Sequence, residues 1–199
     1  MAFYEELRKQ RWDDHRLYHH SRINQTLHLI SALTFISCYI LCYINPTAAA
    51  LIGWTIAMWL RQVGHFFFEP KDFDDVNKLE HAEKERIKVG YNLHRKVVLL
   101  AIWASIPVFL LVWPTSFGVF PDSSGADFWQ NLGTSWMVLA IAALAFRTIQ
   151  LWITADIRTG VVWCTKILTD PFHDLKMYYR APLSLARGEL IDPMLHARQ

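Results

Sequence analysis

The sequence predicts an all-α integral membrane protein: four transmembrane helices paired as two hairpins, both termini cytoplasmic, with interfacial and cytoplasmic helices besides. Three observations carry that expectation. The 199 residues are 53% hydrophobic, and the apolar residues come in blocks rather than spread as in a soluble domain. Four blocks, at 27–44, 48–68, 97–113 and 136–153, approach the roughly 17–25 residues that a helix needs to cross a hydrocarbon core. The basic residues are one-sided. Of 20 Lys and Arg, five lie in residues 1–26, seven in 69–96 and six in 154–199, while the links 45–47 and 114–135 have none. Under the positive-inside rule, the segments rich in Lys and Arg face the cytoplasm and the two bare links face out. Four buried helices of a soluble bundle would give similar blocks, but the first and third contain no Asp, Glu, Lys or Arg at all, which favours the membrane.

Each element follows from local signals. Residues 3–26 read as an amphipathic helix running into the first span, with Phe3, Leu7, Trp12 and Leu17 on an apolar side suited to the interface. They are polar enough, with Glu5, Glu6, Asp13 and Asp14, to exclude a cleavable signal peptide, so the first span itself would direct insertion. Asn45-Pro46 is a turn signal that closes the first hairpin. Pro70 ends the second span. Residues 71–96, with Glu80, Glu83, Lys84, Glu85 and Lys88, read as a charged cytoplasmic helix. Pro107 would kink the third span. Residues 114–133 read as an irregular outer loop, seated at the interface by Phe117, Phe120, Phe128 and Trp129. The tail 154–199, broken by Pro171, Pro182, Gly188 and Pro193, reads as short cytoplasmic segments. Cys38, Cys42 and Cys164 offer no disulfide framework. Basic residues interleave with acids, so nothing suggests a nucleic-acid partner.

All nine histidines fall on the cytoplasmic side of this topology: His15, His19, His20, His28, His65, His81, His94, His173 and His196. Most could be there simply because the long polar segments are there. His28 and His65 are different, because each lies inside an apolar block. His20, Asn24 and His28 stand four apart, one helical face rising about 6 Å per step. Arg61, His65 and Glu69 repeat that spacing in the second block. The short 45–47 turn makes the two spans antiparallel neighbours, so His28 and His65 sit at matched depth. Polar side chains at membrane depth cost a few kcal/mol each unless partnered. A ferrous ion binds neutral imidazoles and carboxylates and keeps positions open for oxygen and substrate. The candidate metal ligands are therefore His20, His28 and His65, joined by His81 and His94 if there are two irons. Glu69 and Asn24 are candidate catalytic companions, Asn24 orienting a ligand or water. Arg61 and Arg147, the charged residues inside the blocks, are candidates for holding a fatty-acid carboxylate. The bland reading makes them internal ion pairs, Arg61 with Glu69 and Arg147 with Asp156.

Tyr18-His19-His20-Ser21-Arg22-Ile23-Asn24-Gln25-Thr26-Leu27-His28, followed by Gln62-Val63-Gly64-His65-Phe66-Phe67-Phe68-Glu69, resembles the 2-hydroxy fatty acid dioxygenase family, small multispan proteins related to the yeast enzyme of fatty acid α-oxidation. The resemblance covers about residues 15–70. It implies an iron(II)-dependent reaction in which a 2-hydroxy acyl chain and O₂ give a fatty acid one carbon shorter. It places the family's histidines at His20, His28 and His65, with Asn24 and Glu69 beside them. The charged segment 71–96, the tail after 154 and Arg61 depart from the family's pattern.

The resulting expectation is an iron-dependent, multi-pass membrane oxygenase of a bacterial inner membrane, in preference to the endoplasmic reticulum. Its partners are a fatty acyl substrate entering from the bilayer, O₂, membrane lipids, and either a second copy or a membrane subunit. Two rival readings stand beside it. One is a two-iron lipid hydroxylase or desaturase-like enzyme, which would need His81, His94 and His173. The other is a non-catalytic membrane subunit or lipid-binding accessory protein.

Overall fold

The computed structural model describes residues 2–69, 71–74, 77–87, 93–120 and 125–194. Among them it is all-helical: α1 (Phe3–Tyr18), α2 (Arg22–Leu41), α3 (Pro46–Ile52), α4 (Trp59–Phe67), α5 (His81–Ile87), α6 (Leu93–Val112), α7 (Gly125–Thr154), α8 (Ile157–Tyr178) and α9 (Ala181–Ala186). A π-helical turn, Gly53–Met58, joins α3 to α4.

The N-terminal helix does not run into the first span as expected. It stops at Tyr18, and the chain turns a corner through His19, His20 and Ser21. Ser21 is extended and caps α2, its side chain accepting from the Asn24 N–H, as a serine N-cap does. The carbonyls stranded at the end of α1 are met by side chains from the next helix. Asn24 Nδ2 donates to the Tyr18 carbonyl at 2.9 Å, and Gln25 Nε2 to the His19 carbonyl at 2.7 Å. The backbone N–H of Asp192 donates to the His20 carbonyl at 2.7 Å, and Ser21 forms an isolated antiparallel bridge with Ile191. The corner is thus satisfied on every side, which is what a buried backbone reversal requires.

Among the described residues, two helices, rather than the expected four, are long and apolar enough to cross a membrane: Arg22–Leu41 and Asp127–Thr154. The stretch expected as the second span is helical, but the π turn divides it and Arg61, Gln62 and His65 make its last third polar. The third is shorter, Lys96–Val112. The expected outer loop is also smaller than its sequence suggests, since helix α7 begins at Gly125. Of the segment expected as one charged helix at 71–96, the described residues instead give an Asp74–Leu79 bridge, the short α5 and the start of α6. The tail departs furthest from expectation. Asp156 caps α8, accepting from the Thr159 N–H at 2.8 Å, and the helix continues for 22 residues straight through Pro171. Proline removes one helical hydrogen bond, but the contacts that α8 makes with the rest of the chain override that local cost.

Three apolar clusters hold these helices among the described residues, the smallest being Leu17 and Tyr18 against Leu79. Trp54, Trp103 and Trp136 stack in series, with ring centroids 6.2 and 5.3 Å apart. Trp54 Nε1 donates to the Trp136 carbonyl and Trp136 Nε1 to the Trp103 carbonyl. This ties the π turn to α6 and α7. Gly133 allows the close approach, since a side chain there would collide with the Thr47 backbone. In another cluster, Leu29, Tyr178 and Ala181 join α2, α8 and α9. The late part of α8 therefore lies beside the start of α2, while Tyr39, far along α2, donates to the Leu168 carbonyl in the earlier part of α8.

Candidate metal centre

Three imidazoles meet behind the corner. His19 comes from the corner itself, His28 from α2 and His65 from α4, and one nitrogen of each lies within 4.8 Å of the others. His19 Nε2 is 3.2 Å from His28 Nδ1 and 3.3 Å from its Nε2. His19 and His28 are each 2% exposed. Gly64, one residue before His65, lets α4 close on α2: a Cβ there would collide with Asn24 Oδ1 and stand 3.5 Å from the His28 ring.

The surroundings orient the rings. His19 Nδ1 lies 3.1 Å from the Asp14 carbonyl. A carbonyl only accepts, so Nδ1 carries the proton and Nε2, facing the other imidazoles, keeps its lone pair. His65 Nδ1 is 3.2 Å from Glu69 Oε2, which directs His65 Nε2 inward in the same way. Such outer partners set the tautomer and raise the basicity of metal-binding imidazoles. Glu69 in turn faces the buried Lys84, at 4.0 Å.

Electrostatics extend outward from there. Burial alone would raise the Asp14 carboxyl, but Lys166 at 3.1 Å, with His19 and His65 behind it, holds it well below the usual carboxylate range. Burial pushes the Tyr178 hydroxyl well above its ordinary value, and nearby Asp174 and Asp14 add to that. That hydroxyl is 3.1 Å from His15 Nδ1, and the Tyr178 ring lies 5.5 Å from that of His19. Burial lowers His173, which is half-buried on α8.

The donor set suits a metal. Three imidazole nitrogens bound at roughly 2.0–2.1 Å to one ion stand about 2.8–3.4 Å apart, from octahedral to tetrahedral angles. The His19–His28 separations fall in that range, and imidazole suits zinc, copper, iron and nickel. A buried orphan strengthens the fit: Asn24 Oδ1 meets no hydrogen-bonding protein atom and sits against Gly64 beside His28.

The sequence-derived site residues divide as follows. His28 and His65 come together, with Glu69 behind His65. His20 points away from them: its Nε2 bonds to the Arg16 carbonyl and lies 3.5 Å from Asp74. His19 takes the place expected for His20. The expectation assumed one continuous helix through 20, 24 and 28, and the corner at 19–21 removes that premise. The signal that marks it is Ser21, an N-cap residue three before Asn24. His81 stands at the start of α5, its Nδ1 buried without a hydrogen-bonding partner. The side chain of His94 and all of His196 lie outside the described residues. Arg61 is ion-paired with Asp174 of α8 and donates from Nε to Ser31 Oγ at 3.2 Å; its partner is not the Glu69 weighed from the sequence. Arg147 donates to Gln150 Oε1, one turn along α7.

Residues 6–73 match the Mpo1-like family, described as 2-hydroxy-palmitic acid dioxygenase Mpo1-like. The match spans the first third of the chain and contains all three histidines, Asn24, Gly64 and Glu69. It stops before α5. Neither a curated protein nor a solved structure matches the chain.

Proposed function

We propose that the protein is an iron-dependent, multi-pass membrane oxygenase that shortens a 2-hydroxy fatty acid by one carbon with O₂. The observation that carries this reading is the His19–His28–His65 trio, buried inside the segment that matches the dioxygenase family. The reaction balances without an outside reductant: the carboxyl carbon leaves as CO₂, the 2-carbon becomes the new carboxyl, and O₂ takes up the four electrons and yields one water. Iron, held by the trio, would supply the binding of O₂ and of the 2-hydroxy acid.

This chain's own residues supply the rest. Asp14 and Glu69 keep two of the imidazoles aimed at one point. Asn24 offers its unpartnered amide oxygen to a proton on bound water or substrate. Arg61, one turn before His65 on α4 and paired with Asp174, is a candidate guanidinium for a carboxylate, and Arg147 is the second. The membrane setting is supported by α7, where 11% of the apolar window is buried inside the chain. The remainder, with Val138, Ile141, Phe146 and Ile149 exposed, is an apolar face of the kind that meets lipid or a partner. The one-sided distribution of basic residues accords with both termini on the cytoplasmic side.

The test is the iron content of the detergent-purified protein beside O₂-dependent loss of a 2-hydroxy acyl substrate. About one iron per chain, absent from His28→Ala and His65→Ala, is the expected result. An iron-free wild type that still consumes the substrate, or no consumption with iron loaded, overturns the reading. About two irons, sensitive to His81→Ala, would replace it with the two-iron hydroxylase.

A further inference from the structure

Helix α8 lies wholly outside the segment that matches the family, yet it carries a stripe of four polar residues. Lys166, Asp170, Asp174 and Tyr178 are spaced by four, which places them on one face, and all are buried, at 5, 5, 6 and 3% exposed. Burying that many polar groups is expensive unless each is partnered, and each one meets the N-terminal helices. Lys166 pairs with Asp14 at 3.1 Å and Asp170 faces Arg11 at 3.5 Å. Tyr178 Oη reaches His15. Asp174 alone of the four reaches an imidazole of the trio through a charged group: it is ion-paired with Arg61, and its Oδ2 lies 3.8 Å from His28 Nδ1.

We infer that Asp174 is the positioning carboxylate of His28, supplied by α8 to a site that residues 6–73 leave incomplete; the inference rests on the trio being a metal site. Of the three imidazoles, His19 has the Asp14 carbonyl and His65 has Glu69 at Nδ1. Among the described residues of the matched segment, no carbonyl or carboxylate plays that part for His28. The carboxylate on its Nδ1 side comes from Asp174, and Arg61 and Ser31 fix where that carboxylate stands. The π turn belongs to the same chain of contacts, because Ser31 Oγ donates to the Ala57 carbonyl at 2.7 Å within it. A negative charge held there favours the tautomer with its proton on Nδ1, which leaves His28 Nε2 as the donor atom and raises its basicity. The role is positioning: Asp174 acts through His28.

Removing outer partners of metal-binding histidines costs about 10–100-fold in metal affinity. The experiment titrates Co²⁺ into the metal-free, full-length protein in detergent and reads affinity from the visible absorption bands, with apo-protein melting followed alongside. Wild type should bind. Asp174→Asn should bind about 10–100-fold more weakly, and Asp174→Glu should recover part of the loss. Asp170→Asn, on the same stripe but without contact to the trio, should melt lower yet bind like wild type. If Asp174→Asn fails to fold with Arg61 left unpaired, the double variant Arg61→Met/Asp174→Asn removes both charges and is read instead, with the same weakening expected. Wild-type affinity in Asp174→Asn or in the double variant overturns the inference and leaves the metal site standing. So does an equal loss in Asp170→Asn, which would trace the effect to the stability of α8. A wild type that binds no Co²⁺ overturns the inference together with the metal reading beneath it.

Discussion

Helices α2 and α7 pass the same test of length and apolarity, yet they are built for different work. In α2, 39% of the apolar window is buried inside the chain, against 11% in α7. What α2 buries is largely polar: Asn24, Gln25, His28 and Ser31. These side chains close the corner, hold the π turn and present an imidazole. What α7 buries is mostly apolar, Leu132, Trp136 and Leu151 with the close contact at Gly133; most of its remaining apolar surface faces outward. The contrast shows that hydropathy ranks the two alike because it averages around the helix. Function depends on which residues share the inward face.

Four changes would break or sharpen this contrast, in order of expected effect. The largest is on the polar side: His19→Ala should abolish metal binding, so that the metal content of the purified protein falls from about one per chain to background, while His20→Ala leaves it intact. Loss in His20→Ala and retention in His19→Ala would reverse the assignment made from the corner. Next, Trp136→Ala on α7 should cost about 3–5 kcal/mol of stability, the range for a buried tryptophan, while the metal content of whatever remains folded is unchanged; melting in detergent and metal analysis report the two separately. Third, Ile141→Lys on the outward face of α7 should cost about 2.5–3.5 kcal/mol if that face meets lipid, and show as a low yield in the membrane fraction. A water-facing site would absorb the change within about 0.5 kcal/mol. The smallest effect is at the seam between α2 and α4. Gly64→Ala drives a methyl into Asn24 and should cost about 1–3 kcal/mol by overpacking, and it should also weaken metal binding, since the His28 ring lies against the same point. Melting without any loss of metal affinity would mean that Asn24 and His28 give way independently.

Much of the inner site is legible in the sequence. The Asn45-Pro46 turn and the two apolar blocks are enough to bring His28 and His65 together, because a three-residue link leaves two helices no other arrangement than side by side. Glu69, four residues after His65, follows from helical spacing. His19 is not legible in the same way. Spacing arguments assume that a helix continues, and here Ser21, Asn24 and Gln25 make stopping at Tyr18 cheaper than continuing by taking over its stranded carbonyls. The π turn is equally hidden, since its residues, Gly53 to Met58, look like any apolar helix.

By itself, then, the sequence determined what repeats along the chain: four apolar blocks, a one-sided distribution of Lys and Arg, and histidines and carboxylates at intervals of four. Those are local properties, set by the helical period and by the solvent each residue prefers. Only the tertiary structure decided which of the polar residues meet. The stripe Lys166, Asp170, Asp174 and Tyr178 can be read from its spacing, but not its partners Asp14, Arg11, Arg61 and His15, which lie more than a hundred residues away along the chain. Pairings at that distance are selected by the requirement that every buried charge find an opposite one, a condition met by the packed protein as a whole and by none of its segments alone.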